Sequence, residues 1–248
     1  MRTLGIDLAA DPKNTALCEI EWDEASVTVL AVARNVSDAQ ILDLAAGPPS
    51  RVIGVDIPFG WPTNFVTFVS AHARGATPLP SSSMRQKRLR STDTFIQDRF
   101  SKTPLSVSTD KIGIPAMRWA ALSHDLGIVN RAGNGQFYEV YPAVARIAWG
   151  LRGKDKVTPL EQANAIALEQ LLRALRFGFA RPGIHEELLE NEHCFDALLC
   201  ALATRAAALG LTYPPPSVAR ATAEVEGWIH APQPGTLDQL ISAEFDQE

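Results

Sequence analysis

Two short apolar runs each close on an aspartate: Leu4-Gly5-Ile6-Asp7-Leu8-Ala9, and further along Val52-Ile53-Gly54-Val55-Asp56-Ile57-Pro58. Runs this apolar read as buried strands. A carboxylate at the buried end of a strand is expensive unless something compensates it. Two more acids share this kind of setting. Glu139 follows an aromatic pair in Phe137-Tyr138-Glu139-Val140-Tyr141-Pro142, and Asp196 sits in the apolar helical stretch Phe195-Asp196-Ala197-Leu198-Leu199-Cys200-Ala201-Leu202. Four acids at the ends of core elements point to a cation that holds them together.

The order of elements around these acids follows from pattern. Residues 2–35 predict three strands, Arg2 to Ala9, about Thr15 to Trp22, and Ser26 to Arg34, with alternating apolar positions in the second and third. Asp11-Pro12-Lys13-Asn14 and Asp23-Glu24 are turn material, and two short connections imply antiparallel hairpins. Ser37 is placed to cap a helix that Gly47-Pro48-Pro49 stops. Val52 to Asp56 then suits a buried central strand. This β-β-β-α-β start predicts an α/β, RNase H-like mixed sheet flanked by helices.

Residues 58–136 read as a helical insertion, or cap. Helices are expected near 63–74, from Ser91-Thr92-Asp93 to about Phe100, and over Pro115 to Val129. Between them lie a polar segment, Gly75 to Ser83, and a basic run containing Arg85, Lys87, Arg88 and Arg90. A strand at Gln136 to Tyr141 precedes helices at about 142–150, 159–177, 184–190 and 191–209. Thr222 to Ile229 is expected to be extended. The whole reads as one domain, residues 1–235, followed by an acidic tail, 236–248, expected to fray.

The 248 residues fit one large α/β domain. The net charge of −5 gives no global attraction to nucleic acid or an anionic membrane, although a local basic groove remains possible. No stretch approaches the ~18 apolar residues of a spanning helix, and Asp7 interrupts the place where a signal peptide needs its apolar run. Cys18, Cys194 and Cys200 are odd in number and lack CxxC spacing, which predicts reduced core thiols in a cytoplasmic protein.

Hard oxygen ligands of this kind suit Mg²⁺ or Mn²⁺ and phosphodiester hydrolysis at a two-metal carboxylate site. Asp7 is the natural bridging ligand, Asp56 would come from an adjacent parallel strand, Glu139 from a later strand, and Asp196 from a helix laid across the sheet. Without metal, two like charges at ~4 Å repel by about 4 kcal/mol at an effective dielectric near 20. Raised and coupled carboxylate pKa values follow. Taken singly, each acid has a plainer explanation: Asp7 and Asp56 as turn-forming residues, Glu139 facing solvent, Asp196 complementing a helix dipole. Only the joint placement carries the chemistry.

Seven motifs in order also resemble a known family. They are Gly5-Ile6-Asp7-Leu8-Ala9, Val55-Asp56-Ile57-Pro58, Arg90-Ser91-Thr92-Asp93, Pro104 to Asp110, Glu139-Val140-Tyr141-Pro142, His193-Cys194-Phe195-Asp196-Ala197 and Glu226-Gly227-Trp228-Ile229. Together they resemble the domain-of-unknown-function family 429, whose members are described as predicted nucleases with an RNase H fold. The resemblance implies an RNase H-like core, a divalent-metal site at Asp7, Asp56, Glu139 and Asp196, and a segment bearing Arg90 and Asp93 that faces it. One departure is visible. A tyrosine-lysine pair is expected after Pro142, but this chain has Trp149-Gly150-Leu151-Arg152-Gly153-Lys154, leaving Lys154 or Lys156 as stand-ins.

Arg90, Asp93 and Arg88 are the expected substrate-binding residues, Arg90 foremost because a guanidinium fork matches phosphate oxygens. Phe59 and Trp61 could stack a base or cover the core, Trp228 reads as a core anchor, and His193 reads as a surface histidine or, alternatively, as an aid to catalysis beside Asp196. His185-Glu186-Glu187-Leu188-Leu189 is not the zinc-protease motif, and neither a P-loop nor GxSxG is present. The expected activity is that of a nuclease or phosphodiesterase, with nucleic acid or a nucleotide-like phosphodiester as partner and no membrane. Two alternatives remain. An actin-like ATP-dependent phosphotransferase shares the core but needs a second copy and glycine-rich loops. A non-catalytic metal- or nucleic-acid-binding module would keep the metal site structurally.

Overall fold

A computed structural model describes residues 1–23, 26–48, 51–133, 135–151 and 158–242. Lys154 and Lys156 lie outside the described residues. Strands β1 (Arg2–Asp7), β2 (Ala16–Trp22) and β3 (Val27–Arg34) form the expected meander. Helix α1 (Asp38–Ala45) crosses over to β4 (Arg51–Asp56). Ser37 caps α1 through a box with Gln40, which satisfies two backbone donors reciprocally. The central segment carries α2 (Thr63–Ala73), α3 (Met84–Arg88), α4 (Ser91–Phe100) and α5 (Ile114–Asp125). There follow β5 (Phe137–Glu139), α6 (Pro142–Ala148), α7 (Leu160–Leu175), β6 (Gly178–Phe179), α8 (Ile184–Glu190), α9 (Glu192–Ala208), α10 (Arg220–Glu226) and α11 (Gln239–Ser242).

The sheet order is β5-β4-β1-β2-β3-β6. β1 pairs antiparallel with β2 and β2 with β3, whereas β4 runs parallel to β1 and β5 parallel to β4. This is the RNase H-like arrangement, a mixed sheet flanked by helices. β6, a two-residue strand parallel to β3, extends it; so short a segment leaves no periodic signal in sequence.

The sheet lies between two apolar layers. On one face Cys18, Ile20 and Val29 pack against Leu168 and Leu171 of α7 and Phe195, Leu198 and Leu202 of α9. On the other, Leu4, Ile6, Ile53 and Val55 meet Ile41 of α1 and Trp119 and Leu122 of α5. Thus α5, although it falls within the expected cap, covers the sheet itself. Phe59 belongs to this layer and stacks on Trp119 at 4.8 Å, so it covers the core.

Helix α9 lies unusually close to the sheet. A Cβ on Gly5 would stand 2.1 Å from the Ala197 carbonyl oxygen and 2.2 Å from the Ala201 nitrogen. A Cβ on Gly54, the register partner of Gly5, would stand 1.8 Å from Thr204 Oγ1. Only glycine permits that approach, and it fixes α9 against the two strands that end in Asp7 and Asp56.

Two local expectations are corrected, and one segment gains a helix. Residues 222–226 are helical, in α10, and only Ile229 is extended, bridging parallel to Glu139. The basic run holds a one-turn helix, α3, started by a Ser83–Gln86 capping box. Residues 236–242 are anchored rather than frayed, because Leu240 is fully buried in the first apolar layer and its carbonyl accepts from Arg205 Nε. Trp228 is a core anchor as expected, at 1 % exposure.

Candidate active site

Asp7 and Asp56 are direct register partners at the ends of two adjacent parallel strands. Side chains alternate along a strand. Asp7 therefore shares a face with Gly5, and Asp56 with Gly54, which is the face that α9 covers. The first turn of α9 then delivers His193, whose Nδ1 lies 2.6 Å from Asp7 Oδ2. A carboxylate can only accept, so Nδ1 carries the proton. That hydrogen bond raises the His193 pKa above its ordinary value, against the opposing effect of burial. His193 is therefore part of the site and not simply a surface residue. His193 and Asp196 stand three residues apart on α9, a spacing that puts both on one side of a helix.

Asp56 is the acid under most electrostatic load. Burial, then the charges of Asp7, Asp196 and Glu139, push its pKa well above the carboxylate range. The charges of the other three predicted acids are therefore all felt at Asp56. The four acids do not occupy one wall, however. Asp7, Asp56, Glu139, Tyr141 and His193 line a cavity of about 350 Å³ at the strand ends, with Asp110 and Lys111 on its rim. Asp196, 25 % exposed, lines a neighbouring depression with Lys102 and Arg146, whose guanidinium is 3.8 Å away. The Tyr141 hydroxyl is pushed up to about 12 by burial and by the nearby charges of Asp56, Asp93 and Asp196, so it stays protonated at neutral pH.

Glu139 is one residue out of phase with the two aspartates. Its register partner is Val55, not Asp56, so it leaves β5 on the opposite face. There it meets Arg90. Nη2 donates to Oε1 at 2.7 Å and Nη1 to Oε2 at 2.8 Å, while the Phe59 backbone N–H donates to Oε2 at 2.9 Å. Arg90 also donates to both oxygens of Asp93, to Ser106 Oγ and to the Glu226 carbonyl. Burial works against the Arg90 charge, but Asp93 and Glu139 outweigh it and raise its pKa. Burial raises the Glu139 pKa, with Arg90 opposing.

The sequence placed Arg90, Asp93 and Arg88 on substrate phosphate. In the structure every N–H of Arg90 is engaged within the protein, and Arg90 and Asp93 are 1 % and 0 % exposed. Asp93 instead caps α4 by accepting from the Arg90 backbone N–H at 2.8 Å. Arg88 is exposed on α3 and lines other depressions, away from the acids. Their spacing in the chain could not reveal this, because Arg90 is claimed by residues 49 and 136 positions away.

Two residues near position 226 complete the frame. Glu226 accepts from the Thr63 backbone N–H and hydroxyl and from the Ser91 backbone N–H, so one carboxylate caps both α2 and α4. Gly227, at φ 90°, leaves room for the ion pair: a Cβ there would stand 2.5 Å from Glu139 Oε2.

The donor chemistry suits a hard divalent cation. Among the described residues, no group of three or more His, Cys, Asp or Glu is arranged to hold a metal ion by itself. Mg²⁺ commonly binds through one or two carboxylates, completing its shell with water and substrate phosphate oxygens. Asp7 and Asp56 provide such a pair, and the excess negative charge felt at Asp56 is what a cation would relieve.

The family described as "Protein of unknown function (DUF429)" matches residues 5–220. The chain belongs to this family. No curated protein and no solved structure matches it. The family's description assigns no chemistry, so function has to come from the site. No helix among the described residues is long and apolar enough to cross a membrane.

Proposed function

We propose that this protein is a divalent-metal-dependent phosphodiester hydrolase, a nuclease in the broad sense, working at the ends of β1 and β4. The observation that carries this function is the side-by-side placement of Asp7 and Asp56, with His193 bonded to Asp7. Asp7 and Asp56 would hold Mg²⁺ or Mn²⁺, with Asp196 as the third acid within electrostatic reach. The bound cation would supply Lewis-acid polarisation of the phosphoryl group and offset its charge. Asp7 orients the His193 ring and fixes its tautomer, leaving Nε2 as the atom that exchanges a proton with the attacking water or the leaving oxygen. Glu139, clamped by Arg90, holds the Phe59 N–H and so fixes the chain just beyond Asp56. The buried, unpaired thiols Cys18, Cys194 and Cys200 support a reducing compartment, in line with a cytoplasmic protein.

The test is a panel of DNA, RNA and small phosphodiesters, with Mg²⁺, Mn²⁺ or chelator. Asp7→Asn should abolish turnover, leave the circular dichroism spectrum intact, and remove the rise in melting temperature that divalent cation gives the wild type. Wild-type cleavage by Asp7→Asn sinks the assignment. Metal-induced stabilisation without cleavage of any substrate would mark a non-catalytic metal module instead.

A further inference from the structure

A second cavity, of about 600 Å³, opens between α2 and α3. Its floor is apolar, made by Phe65, Phe68, Val69 and Val107. Its rim is cationic, made by Arg85, Lys87 and Arg88 of α3. Lys87 Nζ sits 4.6 Å from the centre of the Phe68 ring. Val69 and Met84 are 44 % and 78 % exposed, so the apolar surface is open to solvent. The cavity is also not isolated. A smaller depression along residues 103–108 shares Arg88 and Val107 with it. The same depression shares Pro104 and Leu105 with the cavity that holds Asp7 and Asp56. One track therefore runs from the carboxylates, past Pro104 and Leu105, to the basic apolar pocket.

Resting on the hydrolase function proposed above, we infer that this track binds a single strand of nucleic acid, with an unpaired base on Phe65 and Phe68 and the adjoining phosphates on Arg85, Lys87 and Arg88. Aromatic floors with cationic rims hold single strands because every base offers a π-face and every linkage a negative charge. A duplex buries its bases and would use the rim alone, leaving the apolar floor unfilled. The net charge of −5 makes local recognition of this kind necessary, since the molecule as a whole repels a polyanion. An acidic amphipathic peptide could satisfy the floor and rim, but it would have no use for the connection to the acids.

The experiment is fluorescence anisotropy of the full chain in chelator, with a labelled dinucleotide, a labelled strand of about twelve nucleotides, and the matching duplex. The variants are Phe68→Ala and the charge reversal Arg85→Glu/Lys87→Glu/Arg88→Glu, at half-buried or exposed positions. The longer strand should bind more tightly than the dinucleotide and the duplex. Both variants should weaken its binding about tenfold or more. The reversal should also reduce the slope of log Kd against log salt by about 2–3. Turnover of a minimal aryl phosphodiester, which occupies the acid pocket alone, should be unchanged in both. Wild-type binding by both variants overturns the inference, as does duplex binding as tight as single-strand binding. So does binding of a labelled acidic amphipathic peptide that both variants abolish, with no affinity for the strand. If the groove variants lose the strand but no phosphodiester is ever cleaved, the binding track stands and the hydrolase function fails. If cleavage depends on Asp7 while strand binding ignores α3, the hydrolase stands and the track fails.

Discussion

Arg90 grips Glu139 through both carboxylate oxygens, at 2.7 and 2.8 Å, with both side chains out of contact with solvent. Asp93 shares the same guanidinium, so one cation serves two buried anions. Removing one partner of a buried pair costs about 3–5 kcal/mol, because the survivor stays buried and uncompensated. Arg90→Met should therefore lower the melting temperature by roughly 6–20 °C. Adding Glu139→Gln to it should recover part of the loss, since one of the stranded charges is then gone. Thermal melts of the two singles and the double measure this. Equal stability of Arg90→Met and wild type would show that the network does not hold α4 against β5.

Asp56 gives the opposite sign. Burial and its acidic neighbours make its charge unfavourable in the absence of cation. Asp56→Asn keeps the shape and removes the charge, so in chelator the variant should melt higher than wild type, by roughly 2–4 °C for each kcal/mol relieved. Divalent cation should stabilise the wild type and not the variant, reversing the order. A variant that melts lower than wild type in chelator would mean that the carboxylate is compensated within the protein.

The framework was legible because its signals are local. The alternating runs of β2 and β3, the Ser37 cap and the apolar run before Asp56 each announce an element within a few residues. The order of those elements then fixes which strands are neighbours, and so brings Asp7 beside Asp56. What could not be read is contact across distance. Nothing near Arg90 in the chain indicates that Glu139 will consume its donors. The phase of Glu139 depends on the β4–β5 register, which a three-residue strand does not announce. The His193–Asp7 bond depends on how closely α9 lies on the sheet. That closeness was written in Gly5 and Gly54, whose missing side chains become informative only once the helix is known to cross there.

The two glycines should respond differently to alanine. At Gly5 the clash is with backbone, at Ala197 O and Ala201 N, so α9 itself must move. At Gly54 the nearest atom is the Thr204 hydroxyl, with backbone no closer than 3.2 Å. Gly54→Ala should therefore be rescued in large part by Thr204→Ala, giving a favourable coupling of about 1–3 kcal/mol in a double-mutant cycle. Gly5→Ala should be destabilising with no single-residue rescue, and should disturb His193 because α9 carries it. Urea unfolding of the four variants is the measurement, and additive behaviour of Gly54→Ala with Thr204→Ala would contradict the packing.

His230 supplies a pH dependence that can be separated from the acids. Its Nε2 donates to the Ala132 carbonyl at 2.8 Å, its Nδ1 faces Thr212 Oγ1 at 3.2 Å, and Tyr138 packs edge-on at 4.7 Å. Burial lowers its pKa from 6.5 to about 4. Between those values the unfolded chain binds a proton that the folded chain refuses, so stability is full above pH 6.5 and is lost as pH falls toward 4. The loss should be roughly 2 kcal/mol by pH 4.5. Asp56 and Glu139, whose pKa values are raised, act in the opposite direction, so the wild-type curve alone mixes the two effects. His230→Gln can keep a donor for Ala132 and an acceptor for Thr212 without titrating. The difference between wild-type and His230→Gln stability, followed by urea unfolding from pH 7 to pH 4.5, should therefore grow steadily in favour of the variant. A difference that stays flat across that range would show that His230 is protonated as readily in the folded protein as in the unfolded chain.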